Sequence, residues 1–175
     1  MLALIEPTPD LHAAWLASRD EWGRGVHQPG SGLRGDDDVD SAEGFAAWLE
    51  RLRREGDESR PPLPGLVHAA YWWVVDQDGA VLGSISLRYA LNDFLLLAAG
   101  HIGYGVRPSA RGRGVAGWAL GEVLAAARRR DLESVLITCD VDNTASARVI
   151  EKQGGVLEDV RDTPAGPRRR YWITL

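Results

Sequence analysis

Arg111, Gly112, Arg113 and Gly114 set two guanidiniums and two bare backbone positions side by side, within RPSARGRGVAG (Arg107–Gly117). That combination suits an anion. A strand-like run, HIGYGV (His101–Val106), comes before it, and a helical pattern from about Val115 to Arg130 follows. The first amides of a helix have no intrahelical partners, and the helix dipole favours negative charge there. Glycine lets the backbone approach a ligand without a Cβ clash, and arginine adds charge for phosphate oxygens. The same letters spell GxGxxG over Gly112, Gly114 and Gly117, the turn of a dinucleotide-binding unit, and Asp140 ends the next apolar run, where a ribose-binding carboxylate would stand. Context ranks that reading second. Arg107–Arg111 separates the strand from the glycines, a hairpin precedes them, and the chain ends at Leu175, too soon for a doubly wound sheet.

Other chemistry-bearing residues are scattered. Cys139 is the single cysteine; in an apolar run it reads as core, with an acyl-cysteine nucleophile as the alternative. Asp36, Asp37 and Asp38 read as a solvated acidic loop that could also attract an ammonium group, and Arg168, Arg169 and Arg170 as a solvated turn before the last strand, with a weak phosphate patch as the alternative. Trp118 lies off the apolar face of its helix, free to meet a partner chain or an adenine. No metal site is expected.

The elements that must position these residues are legible from periodicity. Leu11–Trp22 and the run after Ser41 are helical, separated by the loop His27–Asp40. After Asp57–Gly65 the period shortens to that of strands: Ala69–Asp76 and Ala80–Leu91 around an Asp-Gly hairpin, then His101–Val106. A helix, the strand Ser134–Asp140, a short helix from about Ala145 to Gln153 and a closing antiparallel pair complete an α/β layered domain with a mixed sheet flanked by helices. With 175 residues, one domain is expected: a helical region over 1–65 and a sheet core over 66–175. A net charge of −5 argues against nucleic acid, no segment suits a membrane span or a leader, and one cysteine fits a reducing cytoplasm.

GHIGYGVRPSARGRGVAGWALGEVLAAA followed by VLITCDVDNTASARVIEKQGGVLE resembles the GNAT superfamily of acetyl-CoA-dependent N-acetyltransferases, in particular a bacterial subgroup, over roughly Tyr71 to Leu175. Arg111-Gly112-Arg113-Gly114-Val115-Ala116 is similar to its acetyl-CoA loop, and DNTASARVIEKQGG to its second block. The resemblance implies a GNAT fold with the pyrophosphate of acetyl-CoA on the amides of Arg111 to Ala116. The pantetheine arm would lie along the strand through Tyr104, Gly105 and Val106, whose amides would hold the thioester carbonyl. Asn143 and Ser146 would bond the arm; read locally, they are a turn residue and an exposed helix residue. His101 stands where many relatives carry a glutamate and is the expected base, with Asp140 as an alternative. Ile150 occupies the position where relatives often have the tyrosine acid. The acceptor would be a small-molecule or peptide amine, shaped by the N-terminal helices and by Phe94–Gly100, and a homodimer is compatible with the pattern. A non-catalytic acyl-CoA-binding module is the alternative in another functional class.

Overall fold

The computed structural model describes residues 1–175. Strands β1 (Leu2–Ile5), β2 (Ala69–Asp76), β3 (Val81–Arg88), β4 (Ile102–Val106), β5 (Ser134–Asp140), β6 (Val156–Thr163) and β7 (Gly166–Thr174) form one sheet in the order β1-β2-β3-β4-β5-β7-β6. Every neighbouring pair is antiparallel except β4 with β5. That pair is parallel because helix α3 (Val115–Arg128) carries the chain back across the sheet between them.

The sheet is covered on both faces, and the covering follows the apolar patterns. Helix α2 (Ala42–Gly56) begins where Ser41 Oγ accepts the Gly44 N–H at 3.0 Å, and it turns Phe45, Trp48, Leu49 and Leu52 inward. With Trp15 of helix α1 (His12–Trp22) and Trp73 of β2, these side chains make an aromatic-rich core. The opposite face holds the larger core, where Val115, Leu120, Val123 and Leu124 of α3 meet Ile85, Ile102, Val135 and Ile137 of the sheet. Helix α4 (Thr144–Lys152) adds Ala147 and Ile150 to it. Burying each aliphatic side chain of this size contributes about 1.5–3 kcal/mol.

Several elements depart from the periodicity reading. The N-terminal region is not only helical: Leu2–Ile5 joins the sheet as β1 against Trp73–Asp76. Four residues are too short for alternation to reveal, and their partner lies far along the chain. β3 stops at Arg88, and Leu95–Ala99 makes a single π-helical turn. Arg168–Arg170 do not form a solvated turn but lie within β7, paired to Asp140–Thr138 of β5. Arg170 is buried at 2% exposure because Asp159 takes two bonds from it at 2.9 Å and the Leu96 carbonyl a third at 3.1 Å. Asp36–Asp38 is built in as well. Asp37 pairs with Arg51, and Asp38 accepts from Ser41, so the loop braces the start of α2.

Candidate functional site

The parallel pair β4–β5 opens into a wedge. Cα register runs through Ile102↔Ile137 and no further, whereas β4 stays paired to β3 along its whole length and β5 to β7 along its own. Two bonds join the closed end: the His101 N–H donates to the Leu136 carbonyl at 2.7 Å, and the Leu136 N–H donates to His101 Nδ1 at 2.9 Å. Arg88 N–H bonds the His101 carbonyl and Arg107 N–H bonds the Leu82 carbonyl. Antiparallel pairs alternate, so the odd-numbered residues of β4 spend their backbone groups on β3. The amides of Tyr104 and Val106 therefore point toward β5, into the gap, while that of Gly105 is turned to β3, which removes it from the expected set of donors.

At the open end of the wedge lies the Arg- and Gly-rich loop. A 3-10 turn over Pro108–Ala110 takes up the Arg111 amide, which donates to the Pro108 carbonyl at 3.2 Å. Gly112 and Gly114 then adopt φ of +73° and +79°, where a Cβ would be strained, and nothing stands within 4 Å of either missing Cβ. Gly114 caps α3 without a side-chain bond, and the first helical bond is Trp118 N–H to the Gly114 carbonyl. The amides of Val115, Ala116 and Gly117 are thus left for a ligand. The cradle runs from Gly112 to Gly117 rather than from Arg111. Gly117 has open space around it, so it belongs to the cradle's surface and not to a tight helix contact. Gly121 fits the packing role, with the Gln153 amide 3.5 Å from where its Cβ would stand.

The two arginines have different fates. Arg113 is exposed and makes no polar contact in the protein. Arg111 is held in place: its Nε donates to the Val106 carbonyl at 2.9 Å, and its guanidinium lies 4.8 Å from the centre of the Trp22 ring. Trp22 ends α1, and the residue before it grips the same loop. Glu21 accepts from the Ser109 amide at 3.0 Å and from Ser109 Oγ at 2.9 Å, and it lies 3.5 Å from Arg107 Nε. Those bonds, the Ser109 amide first, hold the Glu21 carboxyl below the usual range. The sequence gives no signal for this clamp, since Glu21 and Ser109 are 88 residues apart.

Tyr104 crosses the wedge. Its hydroxyl lies 2.7 Å from Ser146 Oγ on α4, and burial pushes it up to about 12. Asn143 caps α4 by accepting the Ser146 N–H at 3.0 Å, which leaves its side-chain N–H₂ free. Cys139 is 4% exposed in the large core, and burial raises its thiol, which fits a core role and not a nucleophile. Ile150 is fully buried in the same core, with no hydroxyl at that position. Trp118 leans on the same core and is not a free surface ring.

Two expected catalytic roles do not survive the geometry. His101 is 6% exposed, and its Nδ1 lone pair is occupied by the Leu136 N–H. The neutral ring therefore carries its proton on Nε2, and neither nitrogen is placed to accept another. Burial, then the nearby Arg88, lowers its pKa to about 4. It ties strands together and is not a base. Asp140 is exposed at the end of β5 and paired with Arg168 across the strand at 3.3 Å, which accounts for it without a ribose or a proton transfer. The dinucleotide reading also fails on topology, since a sheet with a single parallel pair is not doubly wound.

The face of β4 opposite α3 has no side chains at Gly103 and Gly105. The turn Gln28–Gly32 lies on it: a Cβ at Gly30 would stand 2.4 Å from the Gly103 carbonyl, and one at Gly105 would stand 3.0 Å from the Pro29 carbonyl. This strip borders the wedge from the side of α1 and α2.

The comparisons with known proteins agree with this architecture. The family model of the acetyltransferase (GNAT) domain matches residues 2–156. No curated protein sequence matches the chain. Among solved structures, the chain is similar to Mycobacterium smegmatis RimJ in complex with CoA-disulfide, at 21% identity and a TM-score of 0.72, covering 99% of this chain and 81% of that one. It is similar to the Salmonella typhimurium acetyl transferase that modifies the N-terminal serine of ribosomal protein L7/L12, at 20% identity and a TM-score of 0.69, covering 99% and 95%. It is also similar to the microcin C7 self-immunity acetyltransferase MccE in complex with acetyl-CoA and AMP, at 15% identity and a TM-score of 0.70, covering 99% and 92%. At these identities the likeness is one of fold.

Proposed function

Because the chain belongs to the GNAT acetyltransferase family, we propose that its acetyl-CoA-dependent transfer is direct, from the bound thioester to a primary amine in a ternary complex, with the donor in the β4–β5 wedge. One observation carries the placement: the wedge opens after Ile102↔Ile137, and its mouth meets the uncapped amides of Gly112–Gly117. In this reading the pyrophosphate lies on the amides from Gly112 through Val115 and Ala116, with Arg113 beside it. Arg111 acts by fixing the loop against Trp22. The pantetheine arm follows β4, bonded by the Tyr104 and Val106 amides, with the Ser146 hydroxyl and the Asn143 side-chain N–H₂ on its other flank. An inward amide of β4 then meets the carbonyl oxygen as the amine adds, where developing charge gains most from a fixed donor. With His101 committed to Leu136, a water between wedge and acceptor takes the amine proton; the adduct then collapses with cleavage of its C–S bond, and the CoA thiolate leaves and is protonated from solvent. Cys139 buried in the core favours this single-step route over an acyl-enzyme.

The acceptor approaches from the side of α1, α2 and the Gln28–Gly32 turn, and small amines and peptide amines are both compatible with it. Residues 1–175 act as one domain in this scheme, since α1 grips the donor loop. Thermal titration with acetyl-CoA, CoA and NADPH tests the donor site: both CoA species raise the melting temperature and NADPH leaves it unchanged. No stabilisation by either CoA species overturns the reading, and stabilisation without CoA release across an amine panel leaves a binding module.

The Glu21 clamp makes its own prediction. Glu21→Ala removes two bonds that order the donor loop, each worth about 0.5–1.5 kcal/mol. KM for acetyl-CoA should rise roughly threefold to tenfold while kcat stays close to wild type, and Glu21→Gln, which still accepts hydrogen bonds, should recover part of it. Initial rates over a donor series read this directly. A fall in kcat alone would contradict it.

A further inference from the structure

With the donor entering the wedge from the Gly112–Gly117 end, its acyl group comes to rest at the opposite end, where β4 and β5 meet. Ile102 is paired there with Ile137 and is 1% exposed. Behind that pair the His101 N–H bonds the Leu136 carbonyl at 2.7 Å, and His101 Nδ1 takes the Leu136 N–H at 2.9 Å, so the end is shut. Tyr104 carries the last inward amide before the closure, and a thioester running in past Val106 stops at it. From Tyr104 back to Ile102 is about 6.6 Å along the strand, at roughly 3.3 Å per residue. A carbon–carbon contact distance of about 3.5–4.0 Å takes up more than half of that length. The remainder holds a methyl group and not a propyl chain.

The floor of this end is an aromatic ring. Alternation turns the Tyr104 side chain to the α3 side of the sheet, and it reaches from β4 to α4, where its hydroxyl lies 2.7 Å from Ser146 Oγ. Two residues beyond Ile102↔Ile137, the register sets Tyr104 opposite Cys139 of β5, so the ring passes beneath the gap between the strands. Its far end is tied, because the Ser146 N–H is itself held by Asn143 at 3.0 Å. On the other side of the ring the interior is apolar: Cys139, Ala147 and Ile150 are buried in the cluster against which Tyr104 packs. The third side, toward α1 and α2, is the one the amine needs, and the Gln28–Gly32 turn already lies against Gly103 there.

We propose that the Tyr104 side chain, held by Ser146, sets the length of acyl group this protein transfers: acetyl fits between the closed end and the ring, and butyryl and longer chains do not. The inference rests on the donor placement above. A chain longer than the gap must push the ring off Ser146, spread the Ile102↔Ile137 pair, or turn up into the path of the amine. Each of the first two forces added methylenes into a filled site, and the third blocks the acceptor. The ring suits this task because it is rigid and its hydroxyl fixes its far edge. The apolar side chains beneath it would accept an acyl tail once the ring is gone.

The test gives the full chain acetyl-, propionyl-, butyryl- and hexanoyl-CoA, each read by Kd in thermal titration and by CoA release with an amine panel. Wild type should favour acetyl-CoA over butyryl-CoA about tenfold or more in kcat/KM, the scale on which a pocket wall rejects added methylenes. In Tyr104→Ala that preference should shrink by about tenfold or more, as the butyryl chain takes the space of the ring. Tyr104→Leu should fall between the two, and it decides the matter if the alanine variant does not fold. Tyr104→Phe keeps the ring and should keep most of the wild-type preference. Where no amine in the panel reacts, the ratio of Kd values decides in the same way. A wild type that treats butyryl-CoA like acetyl-CoA overturns the proposal, as does a preference unchanged in the alanine and leucine variants. A phenylalanine variant relaxed as fully as alanine also overturns it, since the ring would then not be the wall. Loss of stabilisation by acetyl-CoA in the wild type would instead remove the parent reading.

Discussion

Gly114→Asp should abolish acetyl-CoA binding while leaving the protein folded. Gly114 is the N-cap of α3, with φ +79° and no side chain to bond the amides behind it. An L-residue there costs on the order of 1 kcal/mol in backbone strain. That is a small part of a domain's stability, so the melting temperature should stay within a few degrees of wild type. The introduced carboxylate, however, occupies the amides that the pyrophosphate needs and repels its charge. Acetyl-CoA should then give no thermal stabilisation, and kcat/KM should fall by roughly a hundredfold or more, the scale of losing several charge-assisted bonds of ~1.5–3 kcal/mol each. Gly114→Ala separates the causes: it carries the strain without the charge and should weaken binding only modestly. An aspartate variant stabilised by acetyl-CoA as strongly as wild type would place the pyrophosphate elsewhere.

His101→Ala should be destabilising, and not merely slow. The side chain is buried, accepts the Leu136 N–H, and helps hold β4 to β5 where the wedge closes. Its removal leaves a cavity and an unpaired buried amide, on the order of 2–4 kcal/mol together. In a chain of this size that lowers the melting temperature by several degrees. His101→Gln can still accept the Leu136 N–H and should recover much of the stability. It should recover activity as well, with an unshifted pH–rate profile; a base would lose its ascending limb with either substitution. Acid stability gives an independent reading. The folded ring titrates near 4, below the 6.5 of a free histidine, because burial disfavours the cation. On acidification the unfolded chain binds the proton first, so stability that is complete above pH 6.5 declines as the pH falls toward 4. His101→Gln should flatten that part of the curve, which denaturant titrations at several pH values would show.

The order of elements from Ser41 onward and the donor loop were legible in the chain because each rests on local chemistry. Helical and strand periods come from neighbouring residues, and Gly112 and Gly114 mark left-handed backbone wherever they stand. Alternation along a strand puts Ile102, Tyr104 and Val106 on one face, and all three meet the α3 core. Asn143 likewise stands at a turn by its local chemistry, and it caps the start of α4.

What the chain alone left open was settled by contacts between distant residues. β1 is a strand only because Trp73–Asp76 offers it an edge. Arg168–Arg170 looked like a solvated run, yet β5 pairs with them and Asp159 supplies the charge that lets Arg170 be buried. His101 had the right residue type and place for a base. Whether an imidazole gives or takes a proton depends on what its ring nitrogens already bond, and Leu136 comes from another strand. The Glu21 clamp is invisible for the same reason. Local sequence fixes which backbone shapes and charges are on offer; only the tertiary arrangement decides which charge meets a partner and which is left to bind something else.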